Sequence, residues 1–477
     1  MGNWFTACIS PLLFIVAQDL QVDITTATRT ITYVVMAIGL SVSLSLCALP
    51  TYPDLHLQNM LAVPISQYIG KRYTILLGLS VFLGCNIWCI YASDYNSFLA
   101  ARILGGFGAG IVEALGPLIV AETFPERSLA SAMVIYVLSL GAGASFGPFV
   151  AGLLANGGYY YRWNFKILSV ILGANLLSCL IMLPETVDRD LLIKDDIAST
   201  LGDVEKTEDL VREEVDNSAT RTTTGGSQET LMQLWKRRTI FLTLPDIKPE
   251  RNFFILIIQP FTLLVSPAVS LGCLIFGLMI AYTFISSVVL SQTLQSPPIL
   301  WPPLQVGLLN LSTVIGLVIG IPIGGIAADI LSRRSAKRND GFHMRESRLP
   351  AVIPGAVLAP IGVLVIGICL QNDLSWAGMA IGWAMLNIAL TASANVMLTY
   401  AVDCYPWRAA HIGVVVNTLK NLVAFGVGYS VTPWLEAVGP EKQFGTMAGI
   451  LWFFFLLIIP LSIFGPRLRQ WSLKWVL

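Results

Sequence analysis

Runs of about twenty mostly apolar residues, enough to cross a bilayer as helices, recur along the chain. In the first part they lie near residues 30–50, 73–92, 98–121, 129–155 and 164–184. In the second they lie near 263–289, 304–328, 349–370, 375–400, 411–435 and 444–465. A shorter run over 3–18 precedes them all, so the count is twelve if it spans and eleven if it does not. Retention as a span is the stronger reading, because no basic residue precedes it as a signal peptide would require. The pattern breaks between Glu185 and Arg251, where acids (Glu213, Glu214, Asp216), the tract RTTTGG and then Lys236, Arg237 and Arg238 follow one another. Such a segment buries too little apolar surface for a core and reads as a flexible cytoplasmic linker. The predicted organisation is an all-α membrane protein. It has an N-terminal six-helix half over 1–184, a linker over 185–260, and a C-terminal six-helix half with a short tail over 261–477.

Composition agrees: 55% of the 477 residues are hydrophobic and 12% charged, with a formal net charge of zero. That balance suits lipid as the surrounding partner and argues against nucleic acid. Basic residues orient the spans. With a cytoplasmic N-terminus, and the linker left out, thirteen lie on the inner side, and Arg29, Arg162, Lys166 and Lys442 make four outside. Both termini are therefore expected in the cytoplasm. Eight cysteines are scattered, and Cys85 and Cys89 sit four apart in an apolar run, a pattern suited to helix packing. There is no zinc-spaced cluster, phosphate loop or nucleophile elbow, so neither an enzyme nor a bound metal or cofactor is expected.

Charges inside spans are costly and mark cavities, partners or interfaces. Arg102 and Glu113 are eleven residues apart in one span. That places them within about 20° of one face but about 16 Å apart along the axis, so each needs its own partner or water. Two readings are open: a polar path in which Glu113 binds and releases a proton, or structural pairing. Lys420, followed by Asn421, meets an anionic substrate, meets an internal acid or snorkels to the surface. Asn387 and Asn395 bond a ligand or, more simply, a neighbouring helix. His411 reads as a polar helix end rather than a proton relay, and Trp376 and Trp383 as able to shape a cavity, with an interfacial belt the favoured reading because it needs no ligand. Asp329 lies four before Arg333, at pairing distance on a helix. The stretch SLGAGASFGPFVAGLL carries Gly143, Gly147, Pro148 and Gly152. Glycines four apart allow close helix contact, and the internal proline favours a bend, which together make a conformational hinge.

Several of these stretches occur in the order of a known family's motifs: PISQYIGKR, RILGGFGAG, GASFGPFVAG, PET at Pro184–Thr186, GGIAAD followed by Arg333 and Arg334, and YAVDCYPWRA at Tyr400–Ala409. The chain resembles the major facilitator superfamily, and within it the fungal twelve-span drug:proton antiporters. The resemblance implies two pseudo-symmetric six-helix halves, alternating access, a small-molecule substrate, protons as coupling ion, monomeric function and a plasma-membrane location. It assigns Arg102 to proton coupling, Gly143, Gly147, Pro148 and Gly152 to the export motif, and Gly70, Lys71, Arg72, Asp329, Arg333 and Arg334 to gating loops. The expected activity is proton-coupled export of small amphipathic or drug-like molecules, a multidrug efflux. The alternatives are proton-coupled uptake of a metabolite, or a membrane receptor without turnover. Gln67 stands where many relatives carry an acid. VSLSLCALPTYPDLHLQNML separates Ser41 from Ala62, where relatives pass directly into the loop. It reads either as an extended span with a loop near 42–61 or as retained noncoding sequence.

Overall fold

The structure, a computed structural model, describes residues 1–41, 71–123, 126–183, 259–326, 330, 334, 345–405 and 409–476. The segment near 42–61, Gly70, Asp329, Arg333 and the linker as far as 258 lie outside the described residues. So do the whole PET motif at Pro184–Thr186 and residues 406–408 of YAVDCYPWRA.

Among the described residues all the regular structure is helical. The first run is a broken helix: α1 (Gly2–Ala7), a 3-10 turn (Ser10–Leu12) and α2 (Leu13–Asp19). Pro11 accounts for the break, since it has no amide to donate to the preceding turn. Then come α3 (Ile24–Ser41), α4 (Lys71–Tyr91), α5 (Tyr95–Thr123), α6 (Glu126–Asn156) and α7 (Arg162–Met182). After the linker follow α8 (Pro267–Gln295), α9 (Pro303–Leu309), α10 (Leu311–Ile321), α11 (Ile353–Gln371), α12 (Trp376–Cys404), α13 (Ala409–Tyr429), α14 (Val431–Leu456) and α15 (Ile458–Val476). Among the described residues nine stretches are long and apolar enough to cross a membrane, and each falls on a predicted run.

Local sequence explains the boundaries. Prolines in the first turns of α8 and α9 have no amide to waste there. Ser375 caps α12 by accepting from the Ala377 amide at 3.3 Å. Within α14, Gly439 takes φ 77° and ψ 166° ahead of Pro440, so two helical pieces meet at a corner there. Pro148 lies inside α6, yet the helix continues on both sides of it.

Lipid gives helices no hydrophobic reason to associate, so close contact depends on small residues. α11 and α12 illustrate this. A Cβ on Gly362 would stand 2.5 Å from the Gly382 carbonyl, and one on Gly382 would stand 2.7 Å from the Gly362 carbonyl. In the N-terminal helices the core is aromatic: Phe5 packs edge-on to Phe82 and Phe165, with ring centroids 5.2 and 6.0 Å away. The described cysteines are free, and Cys85 and Cys89 are buried, as helix packing requires.

Candidate functional site

A cavity of about 320 Å³ lies where helices from before residue 184 and after residue 258 meet. Helical periodicity sets its walls. Trp383, Asn387, Leu390, Thr391, Ala394 and Leu398 come from one face of α12, and Asn417, Lys420, Asn421 and Ala424 from one face of α13. α5 contributes Glu113, α1 contributes Asn3, Thr6 and Ala7, and α8 contributes Phe276 and Phe284. Most of the lining is apolar, interrupted by five asparagine amides and six serine or threonine hydroxyls.

Two charges face each other in this lining. Lys420 Nζ donates to Glu113 Oε1 at 2.8 Å, with the two side chains only 8% and 12% exposed. The ammonium also lies 5.6 Å from the Phe276 ring centroid. Largely removed from water, the two charges stabilise each other, and deleting one partner of such a pair costs about 3–5 kcal/mol; the Met1 amine also acts electrostatically on Glu113. The pair joins α5 to α13, residues 307 apart in sequence. Asn387 and Asn421 stand beside it in the lining, and the Asn387 amide donates to the Trp383 carbonyl at 2.9 Å.

Arg102 does not share that cavity. It is completely buried, and its guanidinium donates to the Phe5 carbonyl and, at 3.2 Å, to the Thr6 carbonyl. These carbonyls belong to the end of α1, where a terminating helix leaves acceptors open. The guanidinium also stacks over Phe5, 4.5 Å from the ring centroid, and near Phe165 at 5.9 Å. Arg102 and Glu113, for which a shared polar path was one of the two open readings, thus have separate surroundings. Arg102 is a clamp on α1, and α1 in turn supplies cavity wall.

The glycine and proline stretch of α6 packs against α1, α9 and α10. A Cβ on Gly147 would meet the Trp4 carbonyl at 3.0 Å, and one on Gly152 the Pro303 carbonyl at 2.5 Å. From the facing side, a Cβ on Gly307 would meet the Pro148 carbonyl at 2.9 Å. Gly143 faces Trp4 and Asn3 less tightly, at 3.6 Å or more. Ser145 and Thr313 hydrogen-bond across the same seam. Uncharged side chains continue the closure toward the end that bears residues 157–161 and 296–302. Ser287 donates to Ser10 at 3.0 Å, Gln295 to the Pro11 carbonyl at 2.9 Å, and Gln292 to Thr28 and Thr432 at 2.8 and 3.3 Å.

The loop residues are only partly described. Lys71 opens α4, and Arg72 is buried and donates to the Leu180 carbonyl at 2.7 Å, tying α4 to α7. Arg334 is exposed, while Gly70, Asp329 and Arg333 lie outside the described residues, as do the side chains of Asn395 and His411. Of the two tryptophans expected at the interface, Trp376 is exposed. Trp383 is a correction: it is 1% exposed and lines the cavity. Its position four residues before Asn387 was the available signal, since that spacing shares a helix face. Asn417, Phe276 and the seam residues Gln292 and Asn310 carried no comparable mark.

The family model for the Major Facilitator Superfamily matches residues 3–428, and the chain belongs to that superfamily. It is 23% identical over 462 residues to Protein HOL1 of Saccharomyces cerevisiae, covering 88% of this chain and 79% of that protein. From the same yeast, the "Probable drug/proton antiporter YHK8" is 23% identical over 365 residues, covering 76% of this chain and 65% of that one. The fold is similar to the xylose transporter XylE from E. coli, with a TM-score of 0.57, 13% identity, and coverage of 98% and 94%. The class thus defined is a secondary-active membrane transporter rather than an enzyme.

Two outcomes follow. Arg102→Met leaves the α1 carbonyls without their donor and is expected to cost about 2 kcal/mol, seen as a lower unfolding temperature in mild detergent; unchanged melting contradicts the clamp. Gly152→Leu forces α6 from α9 and is expected to lower transport at least about tenfold, since about 1.4 kcal/mol of lost closure suffices. Gly173→Ala, with open space around its Cβ, serves as the neutral comparison.

Proposed function

We propose that the chain is a proton-coupled exporter of small amphipathic molecules, with the cavity around Glu113 and Lys420 as its substrate site. The observation that carries this reading is an ion pair reaching between α5 and α13 in a cavity whose lining, among the described residues, is otherwise uncharged. Protonating Glu113 removes the charge that holds Lys420 and strands an ammonium where water is scarce. The favoured response is the conformation in which water reaches Lys420 again, so a proton biases which side the cavity faces. The proton is the coupling ion, and no resident cofactor takes part.

In this account twelve spans form two pseudo-symmetric six-helix halves, 1–184 and 261–477, with both termini cytoplasmic and residues 185–260 between them. The carrier works as a monomer in the plasma membrane. The α6 seam with α9 and α10 closes the outer end in the state described, leaving exchange to the inner side. Gly143, Gly147, Pro148 and Gly152 form the surface on which the halves rock. Arg102 acts as a positioning residue: by holding Phe5 and Thr6 it fixes the wall formed by Asn3, Thr6 and Ala7. Asn387 and Asn421 orient polar parts of the substrate. Gly70, Lys71, Arg72, Asp329, Arg333 and Arg334 belong to the inner gating loops. The relative YHK8 is named as a probable drug/proton antiporter, which supports the antiport reading.

Sealed inside-out vesicles test the direction. An acid-inside gradient is expected to drive accumulation of amphipathic fluorescent dyes, and Glu113→Gln to reduce gradient-driven accumulation at least about tenfold, the loss of about 1.4 kcal/mol of coupling. Influx with protons into right-side-out vesicles alone identifies an uptake carrier instead. Binding without flux across the panel identifies a receptor.

A further inference from the structure

Several donors along the cavity wall are spent inside the protein. Thr283 donates to the Met279 carbonyl and Thr391 to the Asn387 carbonyl, each at 3.0 Å, and the Asn387 amide donates to the Trp383 carbonyl at 2.9 Å. Trp383 itself differs. Its indole N–H is closed off from water and has no hydrogen-bond acceptor, and among the described residues no other residue of the lining carries a buried side-chain nitrogen or oxygen in that condition. Unpaired donors of this kind are costly and rare in folded proteins. A phenylalanine ring supplies apolar wall without that cost, so the N–H calls for a function.

The place of the ring in α12 indicates where its acceptor comes from. The residues on either side are used for packing: a Cβ on Gly382 would stand 2.7 Å from the Gly362 carbonyl of α11, and one on Gly316 of α10 would stand 2.5 Å from the Ala384 carbonyl. Residue 383 falls between these contacts, on the face that continues through Asn387, Leu390 and Thr391 along the cavity. Phe276 and Phe284 belong to the same lining, so a flat apolar body finds aromatic surface there. We infer that Trp383 selects the substrate by donating its indole N–H to an uncharged acceptor, a ring nitrogen or a carbonyl oxygen, carried by an aromatic molecule. A ligand that brings the acceptor relieves the unpaired N–H. One of the same shape without it leaves the cost in place, which is how a hydrogen-bonding site tells such molecules apart. The inference rests on the cavity being the substrate site and adds a chemical requirement on its occupant.

Quinoline and naphthalene are fused-ring probes of the same outline that differ by one ring nitrogen, and above neutral pH both are uncharged. Their binding to the full chain in nanodiscs, corrected with protein-free discs, is read separately from proton-driven dye uptake in proteoliposomes. The preference for quinoline over naphthalene is expected to be about fivefold larger in the parent than in Trp383→Phe. Replacing Trp383 by benzothienylalanine, which keeps the bicyclic shape with sulfur in place of N–H, is expected to lose the same preference and so separates a lost donor from a lost shape. In proton–nitrogen correlation spectra, the indole signal absent from Trp383→Phe is expected to move downfield with quinoline and to do so far less with naphthalene. An equal quinoline preference in the parent and both variants overturns the inference, because the N–H then takes no acceptor from the ligand. If neither probe binds while dyes still move with the gradient, the acceptor requirement is wrong and the transport reading stands. A preference that depends on Trp383 without any dye movement supports the binding role and overturns transport. If neither probe binds and no dye moves, both fall.

Discussion

An ammonium and a carboxylate 2.8 Å apart in a mostly apolar cavity are costly to keep and more costly to separate. The rest of the molecule can be read as what makes that arrangement possible. α5 and α13 must approach closely, and Gly39 helps by letting α3 pass α13 where a Cβ would stand 2.7 Å from the Asn421 Cβ. The first helix must also hold its place although it breaks before Pro11, and Arg102 secures it by its carbonyls. Two buried cations in the same set of helices thus have different work: Arg102 holds a wall, and Lys420 holds a charge.

The closure at the opposite end of the cavity has another chemistry. Seam contacts there are glycine against backbone, and serine, threonine, asparagine or glutamine against one another. Such contacts are short-ranged and individually modest, so a seam can form and part without exposing a stranded charge. The charged pair lines the cavity itself, where its separation carries the larger consequence. A carrier that alternates needs this division, with a seam that opens readily and a central interaction whose state depends on what is bound.

Much of the fold was legible in the residues. The nine long apolar stretches among the described residues fall on predicted runs because length and hydropathy are what a bilayer demands. Close packing by Gly147 and Gly152 was legible too, since a missing Cβ has a direct steric meaning. Partners across the chain were not. Periodicity placed Arg102 and Glu113 on one face of α5, but what each meets depends on α1 and α13, which sequence spacing does not orient. Lys420 had three open readings from its residue type, and only the tertiary arrangement selects Glu113. Trp383 was assigned to an interfacial belt because composition cannot distinguish a tryptophan at the headgroups from one at a cavity wall. Its spacing from Asn387 held the better information.

The central claim is that Glu113 and Lys420 act as a unit. A double-mutant cycle measured by unfolding temperature in lipid nanodiscs, using Glu113→Gln, Lys420→Met and both together, tests it most directly. The account predicts that each single change destabilises by about 3 kcal/mol and that the double change recovers most of that loss, because no charge is left alone. Additive losses would show that the two residues are energetically independent and would contradict it.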